Sequence, residues 1–260
     1  MMFTPALGTP VEIDTKGLNA VEVEALTKLL SQGACPCDKN KSILTCATDQ
    51  SCPAAKELAV FGAEKFREGL SALDVQRAVV KKYIQDHVHY TFDLKGAPVK
   101  GPVDAKITVV EFADFQCGHC ARLSESIKVL QAEFGDRVRF VFKQFPMTRH
   151  PFAHYAARAS LAAHRQGAFW QFHDLLFKHQ LELSEAKIDG FASELNLDLE
   201  KYNVDRERPE TYEHIARDRK EAIAAGLRAT PTLYMNGRLY TESKRLDALR
   251  KNLQNALRAN

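Results

Sequence analysis

No run of 18 consecutive apolar residues occurs in this 260-residue chain, so no segment reads as a membrane-spanning helix. A large excess of one charge is also missing. Lys and Arg number 36 against 33 Asp and Glu, a net charge of +3. The two signs are interleaved, which gives no basic surface of the kind nucleic acid requires. The opening residues MMFTPALGTPVEID lack both the basic stretch and the apolar core of a signal peptide. The protein is then either cytosolic or has been stripped of a leader. After Cys120 there is no further cysteine, so a zinc site there would lack a second thiolate pair.

What is present is an ordinary globular composition, 45% hydrophobic and 27% charged, long enough for one large domain or two smaller ones. The six cysteines fall in two clusters, Cys35, Cys37, Cys46 and Cys52, then Cys117 and Cys120. An even count in clusters suits an oxidising compartment. The expected location is therefore periplasmic or otherwise extracytoplasmic, with the leader removed.

The chain is expected to divide into a small helical domain over 1–91, a linker over 92–104 and an α/β domain over 105–260. The linker reading rests on FDLKGAPVKGPVDAK, rich in Gly and Pro and without helical period. Before it, three amphipathic helices are predicted. LNAVEVEALTKLL carries Leu18, Val23, Leu26 and Leu30 at helical spacing, with Asn19 and Glu22 as a capping box. CPAAKELAVFGAEKFREG has Pro53 for a first turn and Gly69 for a stop. SALDVQRAVVKKYIQDH opens on Ser71 and Asp74 and presents Val75, Val79, Val80, Tyr83 and Ile84. Such a thin bundle needs staples.

After the linker the period changes. KITVVEFADF reads as a buried strand, CGHCARLSESIKVLQAEFG as a helix with Leu123, Ile127 and Leu130 on one face, and RVRFVFKQF as a strand. A helical region follows from about His150 to Gly226. TPTLYMNGRLYTES then gives a hairpin around Asn236-Gly237, and KRLDALRKNLQNAL a closing helix. This places the pair Cys117/Cys120 at a strand-to-helix junction, where backbone N–H groups are unpaired and the helix dipole is positive. A thiol of pKa about 8.5 is only ~3% ionised at pH 7, and such a setting lowers its pKa by roughly 1–5 units. The gain in thiolate is partly offset by lower nucleophilicity, so the lasting effects are a better leaving group and a stabilised reduced form. His119 between the cysteines adds positive charge when protonated. An inert disulfide would close too small a ring to constrain the unfolded chain, which leaves thiol redox chemistry.

VVEFADFQCGHCARL, then KQFPMTRHPFAHYAARASLAAHRQGAFWQFHDLLF, then TPTLYMNG resemble, in order, the motifs of the DsbA-like thiol:disulfide oxidoreductases. The resemblance covers about residues 98–260. It implies a thioredoxin fold with a helical insertion, Cys117 as the attacking and Cys120 as the resolving cysteine, and Thr230-Pro231 as a cis-proline loop that pairs with a bound peptide. Glu111, six residues before Cys117, matches the acidic residue these proteins set beneath the pair, and it would carry protons to and from Cys120. Asp114 is expected in solvent; Phe112, Phe115, Phe169 and Trp170 are expected in the core or the groove. The Gly-His dipeptide and the Thr before proline resemble isomerases more than strong oxidases, which sets the expected potential nearer about −180 mV than about −120 mV.

The expected function is exchange on protein disulfides at CGHC, as oxidase or isomerase, without metal or organic cofactor. Substrate proteins and a redox partner that recharges the pair are the expected partners. The alternatives are a thiol reductase serving apocytochrome c maturation and a redox-inert peptide-binding chaperone module. For CPCDKNKSILTCATDQSCPAAKEL three readings stand: two structural disulfides among Cys35, Cys37, Cys46 and Cys52, a second redox pair at Cys35/Cys37, or a four-thiolate zinc site. The helical segment around it weakly resembles the CcmH-type three-helix domain, which carries LRCxxC where this chain has Cys-Pro-Cys. The bundle is also a candidate homodimerisation element.

Overall fold

The computed structural model describes residues 13–259; most of the opening segment read for a leader lies outside them. Among the described residues no helix is long and apolar enough to cross a membrane. The chain forms two compact units, one reaching to Val88 and one starting at His89.

The first unit holds the three expected helices and one more. Helix α1 (Ala20–Gln32) starts at the full Asn19–Glu22 capping box. Helix α2 (Ile43–Thr48) is short, capped by Ser42, and lies between the cysteines. Helix α3 (Pro53–Arg67) begins with Pro at its first turn, and α4 (Ala72–His87) is capped by Ser71. Leu26, Leu30, Ile43, Leu58, Phe66, Val75 and Val79 form the core, while Val80, expected on the apolar face, is exposed. Gly62 lets the helices close up. A Cβ there would sit 2.8 Å from a Leu26 methyl and 3.3 Å from a Val79 methyl.

Two disulfides staple this core, Cys35–Cys46 and Cys37–Cys52. The Cys35/Cys37 pair and the four-thiolate zinc site are both replaced by this pairing. Cysteines separated by a single proline would close a strained ring, whereas the actual partners have Cα atoms 6.2 and 5.8 Å apart, within the ordinary range. Closing loops of 11 and 15 residues contributes roughly 3 kcal/mol each by restricting the unfolded chain.

The second unit is built on a five-stranded mixed sheet, in the order β1-β3-β2-β4-β5. Its elements are β1 (Val99–Lys100), β2 (Ile107–Ala113), α5 (Gly118–Phe134) and β3 (Val138–Gln144). The insertion follows, α6 (Ala153–Arg165), α7 (Phe169–Lys178), α8 (Glu185–Glu194), α9 (Leu199–Glu207) and α10 (Pro209–Ala224), before β4 (Thr232–Met235), β5 (Arg238–Leu239) and α11 (Leu246–Ala259). Strands β2 and β3 run parallel; every other pairing is antiparallel. The hairpin turns at Asn236 and Gly237, whose φ values of 47° and 76° are what a two-residue turn of this hand demands.

The linker expected over 92–104 is folded structure. Strand β1 pairs with β3, Ala97 is buried, and the Phe92 ring stacks edge-on against Phe112 and Tyr234. Gly and Pro here terminate a two-residue edge strand rather than mark a free tether. The α/β unit therefore starts well before residue 105.

Strands β2 and β3 are buried along almost their whole length, as central strands covered on both faces must be. Ile107 and Val109 pack with Leu123, Ile127 and Leu130 of α5 and with Leu249 and Leu253 of α11. Val110 and Phe112 face the other way, toward Ala222 of α10. The two-residue period puts Glu111 on the α5 side.

Candidate active site

Strand β2 ends at Ala113, and four residues later the chain enters α5. Cys117 is the N-cap of that helix and Cys120 lies one turn in. Both are thiols and both are buried, Cys117 retaining 5% exposure and Cys120 none. The loop between strand and helix is clamped. Asp114, expected in solvent, is buried. Its carboxylate accepts N–H bonds from Gln116 at 2.7 Å and Met147 at 2.7 Å, and one from His150 Nδ1 at 2.8 Å. The Gln180 amide donates to the Phe115 carbonyl at 2.6 Å. Apart from Gln116, these partners of Asp114 and Phe115 lie 33–65 positions downstream, beyond the reach of local sequence pattern. His150 is committed to Asp114.

Thr230-Pro231 is a cis peptide, as the motif order implied. It comes against the pair: the Cys117 thiol donates to the Thr230 carbonyl at 3.3 Å. That bond belongs to the protonated sulfur. The ionised sulfur is held by other donors, foremost the Cys120 S–H, then Thr230 and the backbone N–H groups of Cys120 and His119. Against the opposing effect of burial they bring Cys117 down to about 5. A thiol at that value is roughly 99% ionised at pH 7. Cys120 moves the other way, far above an ordinary thiol. Burial is the main cause, its bond to Cys117 the second, and the charge of Glu111 the third. The two sulfurs thus share one proton, which stays on Cys120.

Glu111 sits in the central strand, paired with Phe142 on one side and Leu233 on the other. It is 5% exposed, and its Oε1 has no hydrogen-bond partner among the described residues. Burial pushes it up to about 8. A buried carboxyl raised toward neutrality, whose charge is felt by a buried thiol, is an arrangement able to carry out general acid–base work.

His119 is exposed, and its Nδ1 accepts an N–H from Arg122 at 2.7 Å. Phe112, Phe115 and Phe169 are core residues, and Trp170 is half-buried with its indole N–H on the Val99 carbonyl at 3.3 Å. Beside Cys117 opens a cleft of about 710 Å³, lined by His119, Arg122, Thr230, Pro231, Lys244 and Arg245 among others. Glu242 is the one carboxylate on its walls. Lys244 is half-buried and its ammonium is lowered by that burial, while the charge of Cys120 opposes the shift. Arg122, Lys244 and Arg245 were not singled out from sequence; only their place around the cis-proline gathers them.

Residues 93–255 match the family model described as Thioredoxin. A solved thioredoxin-like oxidoreductase from Silicibacter pomeroyi DSS-3 is 31% identical, with a TM-score of 0.56, and the match covers 64% of this chain and 94% of that one. BdbD from Bacillus subtilis is 25% identical, with a TM-score of 0.59 over 66% and 98% of the two chains. A Na(+)/H(+) antiporter NhaA from Herminiimonas arsenicoxydans is 42% identical over 140 residues, 54% of this chain and 22% of that protein. The chain spans about a fifth of the length of the curated relatives it matches.

Proposed function

From the premise that this chain belongs to the Thioredoxin family, matched over 93–255, we propose that it is a thiol:disulfide oxidoreductase working on proteins through Cys117 and Cys120. The observation that carries this reading is the split between two adjacent sulfurs, one drawn down to about 5 and one driven up.

The Cys117 thiolate attacks one sulfur of a substrate disulfide. A Cys117–substrate bond forms, the substrate bond breaks, and the other substrate sulfur leaves as thiolate and takes a proton. Cys120 then gives its proton to the Glu111 carboxylate and attacks Cys117. The substrate sulfur departs, and the Cys117–Cys120 disulfide holds the oxidising equivalents. Run backwards, the same steps oxidise a substrate dithiol. The substrate backbone lies along Thr230-Pro231.

The balance between directions follows from the thiolate. A sulfur near 5 falls between a thioredoxin sulfur at about 7 and roughly −270 mV and a DsbA sulfur at about 3.5 and roughly −120 mV. Linear interpolation gives roughly −180 mV, the isomerase range. The cleft carries three cationic side chains against one carboxylate, which favours substrate segments with acidic residues near the cysteine. Two disulfides in the first unit support an extracytoplasmic location.

The test is a glutathione redox titration with insulin-reduction and scrambled-ribonuclease assays. A potential between about −210 and −150 mV with isomerase activity is expected. A potential below about −250 mV would make the protein a reductase, and inactivity in both assays would leave only a peptide-binding role.

A further inference from the structure

The first unit carries sulfur chemistry that the Cys117–Cys120 reaction does not use. Its two disulfides differ in access. Cys35, Cys46 and Cys52 are fully buried, and Cys37 alone of the four is exposed. Cys37 sits in the tight loop between α1 and α2, closed by the Ala34–Ser42 bridge and by the Cys35 N–H on the Lys41 carbonyl at 2.9 Å.

Cys37 is thus the residue through which an attacking thiolate enters, and its identity fixes the leaving group: attack on Cys37 expels Cys52. Cys52 is the N-cap of α3, a helix of 15 residues. No side chain caps that terminus, and its first turn carries no acidic residue. A thiolate released there meets the positive end of the helix and unpaired backbone N–H groups. Exchange is faster when the leaving thiol has a lower pKa, and helix-start N–H groups, which are among the donors that lower Cys117 in the second unit, favour Cys52 as the leaving sulfur in the first. The Cys35–Cys46 bond has neither feature. Both of its sulfurs are covered, and Cys46 lies inside α2 rather than at a helix start.

We infer that Cys37–Cys52 is a second exchange-active disulfide, which accepts electrons from a dithiol, and that Cys35–Cys46 is the fixed staple beside it. One thiolate of the dithiol attacks Cys37 Sγ; a mixed disulfide forms, the Cys37–Cys52 bond breaks, and Cys52 leaves as thiolate and takes up a proton once the opened loop admits water. The second thiol of the donor loses its proton and attacks its own partner sulfur in the mixed disulfide, releasing Cys37. The donor ends as a disulfide, and Cys37 and Cys52 end as thiols, two electrons having passed inward. The sulfurs of Cys35, Cys37 and Cys52 lie within 4.8 Å of one another. A freed Cys52 thiolate thus has the Cys35–Cys46 bond in reach as well, and every route into the cluster begins at Cys37.

The experiment uses the full chain carrying Cys117→Ser and Cys120→Ser, so that it reads the first unit alone and does not depend on the reaction proposed for the second. The protein is exposed to dithiothreitol for graded times, quenched in acid, alkylated and mapped by peptide mass. Cys37 is expected to be labelled first, with Cys52, roughly tenfold or more ahead of Cys35 and Cys46, while the far-ultraviolet circular dichroism stays unchanged. Lys56→Glu, an exposed change in the second turn of α3, should slow that first labelling by roughly two- to fivefold. The inference is overturned if all four cysteines are labelled together, if labelling needs denaturant, or if Cys35 and Cys46 lead.

Discussion

Replacing Cys120 separates the two duties proposed for it, since neither the alanine nor the serine variant can form the proposed Cys117–Cys120 disulfide. The main donor that lowers Cys117 is the Cys120 S–H. Alanine removes that donor, whereas serine keeps an O–H in its place. A hydrogen bond to a charged group contributes about 1.5–3 kcal/mol, or roughly 1–2 pKa units. Cys117 should therefore titrate near 6–7 in Cys120→Ala and stay close to its parent value of about 5 in Cys120→Ser. Stability follows with a definite sign. The folded pKa lies below the ordinary thiol value of 9.0, so the stabilisation of the reduced form is complete above pH 9 and is lost as pH falls through 5. At pH 7 the parent keeps about two units of it, ~3 kcal/mol. The alanine variant should be about 1–2 kcal/mol less stable there, and the difference should vanish below pH 5. Thiolate absorbance or the pH dependence of alkylation reads the titration, and urea unfolding at both pH values reads the stability. An alanine variant that titrates with the parent would refute the shared proton, and with it the account of why Cys117 leaves readily.

Glu111→Gln should slow turnover most where Cys120 must be deprotonated, and should remove the rise in rate that accompanies ionisation near pH 8. The same change should stabilise the fold. The raised carboxyl means that stability is intact below pH 4.5 and lost as pH climbs through 8, so the variant should gain roughly 3–5 kcal/mol above pH 8 and nothing at pH 4. Asp218→Ala should destabilise by about 3 kcal/mol in urea unfolding, because buried Lys143 loses the carboxylate 3.0 Å away and keeps the Glu221 carboxylate and the Asp93 carbonyl. Arg122→Glu together with Arg245→Glu should raise KM several-fold for an acidic-flanked substrate and flatten its dependence on salt, with kcat little changed. Equal effects on a neutral peptide would refute the electrostatic account of the cleft.

The features legible in sequence were those that local chemistry dictates. Asn19 and Glu22 cap α1, Ser71 caps α4, and Asn236-Gly237 turns the hairpin, because each satisfies backbone groups within a few residues. The Cys117–Cys120 spacing and the Thr230-Pro231 motif came from the family pattern, and the fold brings them to 3.3 Å. What stayed hidden depends on distant partners. Asp114 looks like a loop carboxylate until Met147 and His150 arrive to bury it. Lys143 in a central strand makes sense only beside Asp218, 75 positions later. Strand β1 is two residues long and carries no period at all. Four cysteines allow three pairings, and the observed one is set by how α1, α2 and α3 pack rather than by spacing.

The outermost strands of the sheet, β1 and β5, are two residues each. A neighbouring chain seeking to extend the sheet would find a ladder too short to hold it. For a protein proposed to handle other chains, blunt margins of this kind offer those chains no strand to join, so that the cleft and not the scaffold's rim is left to meet them.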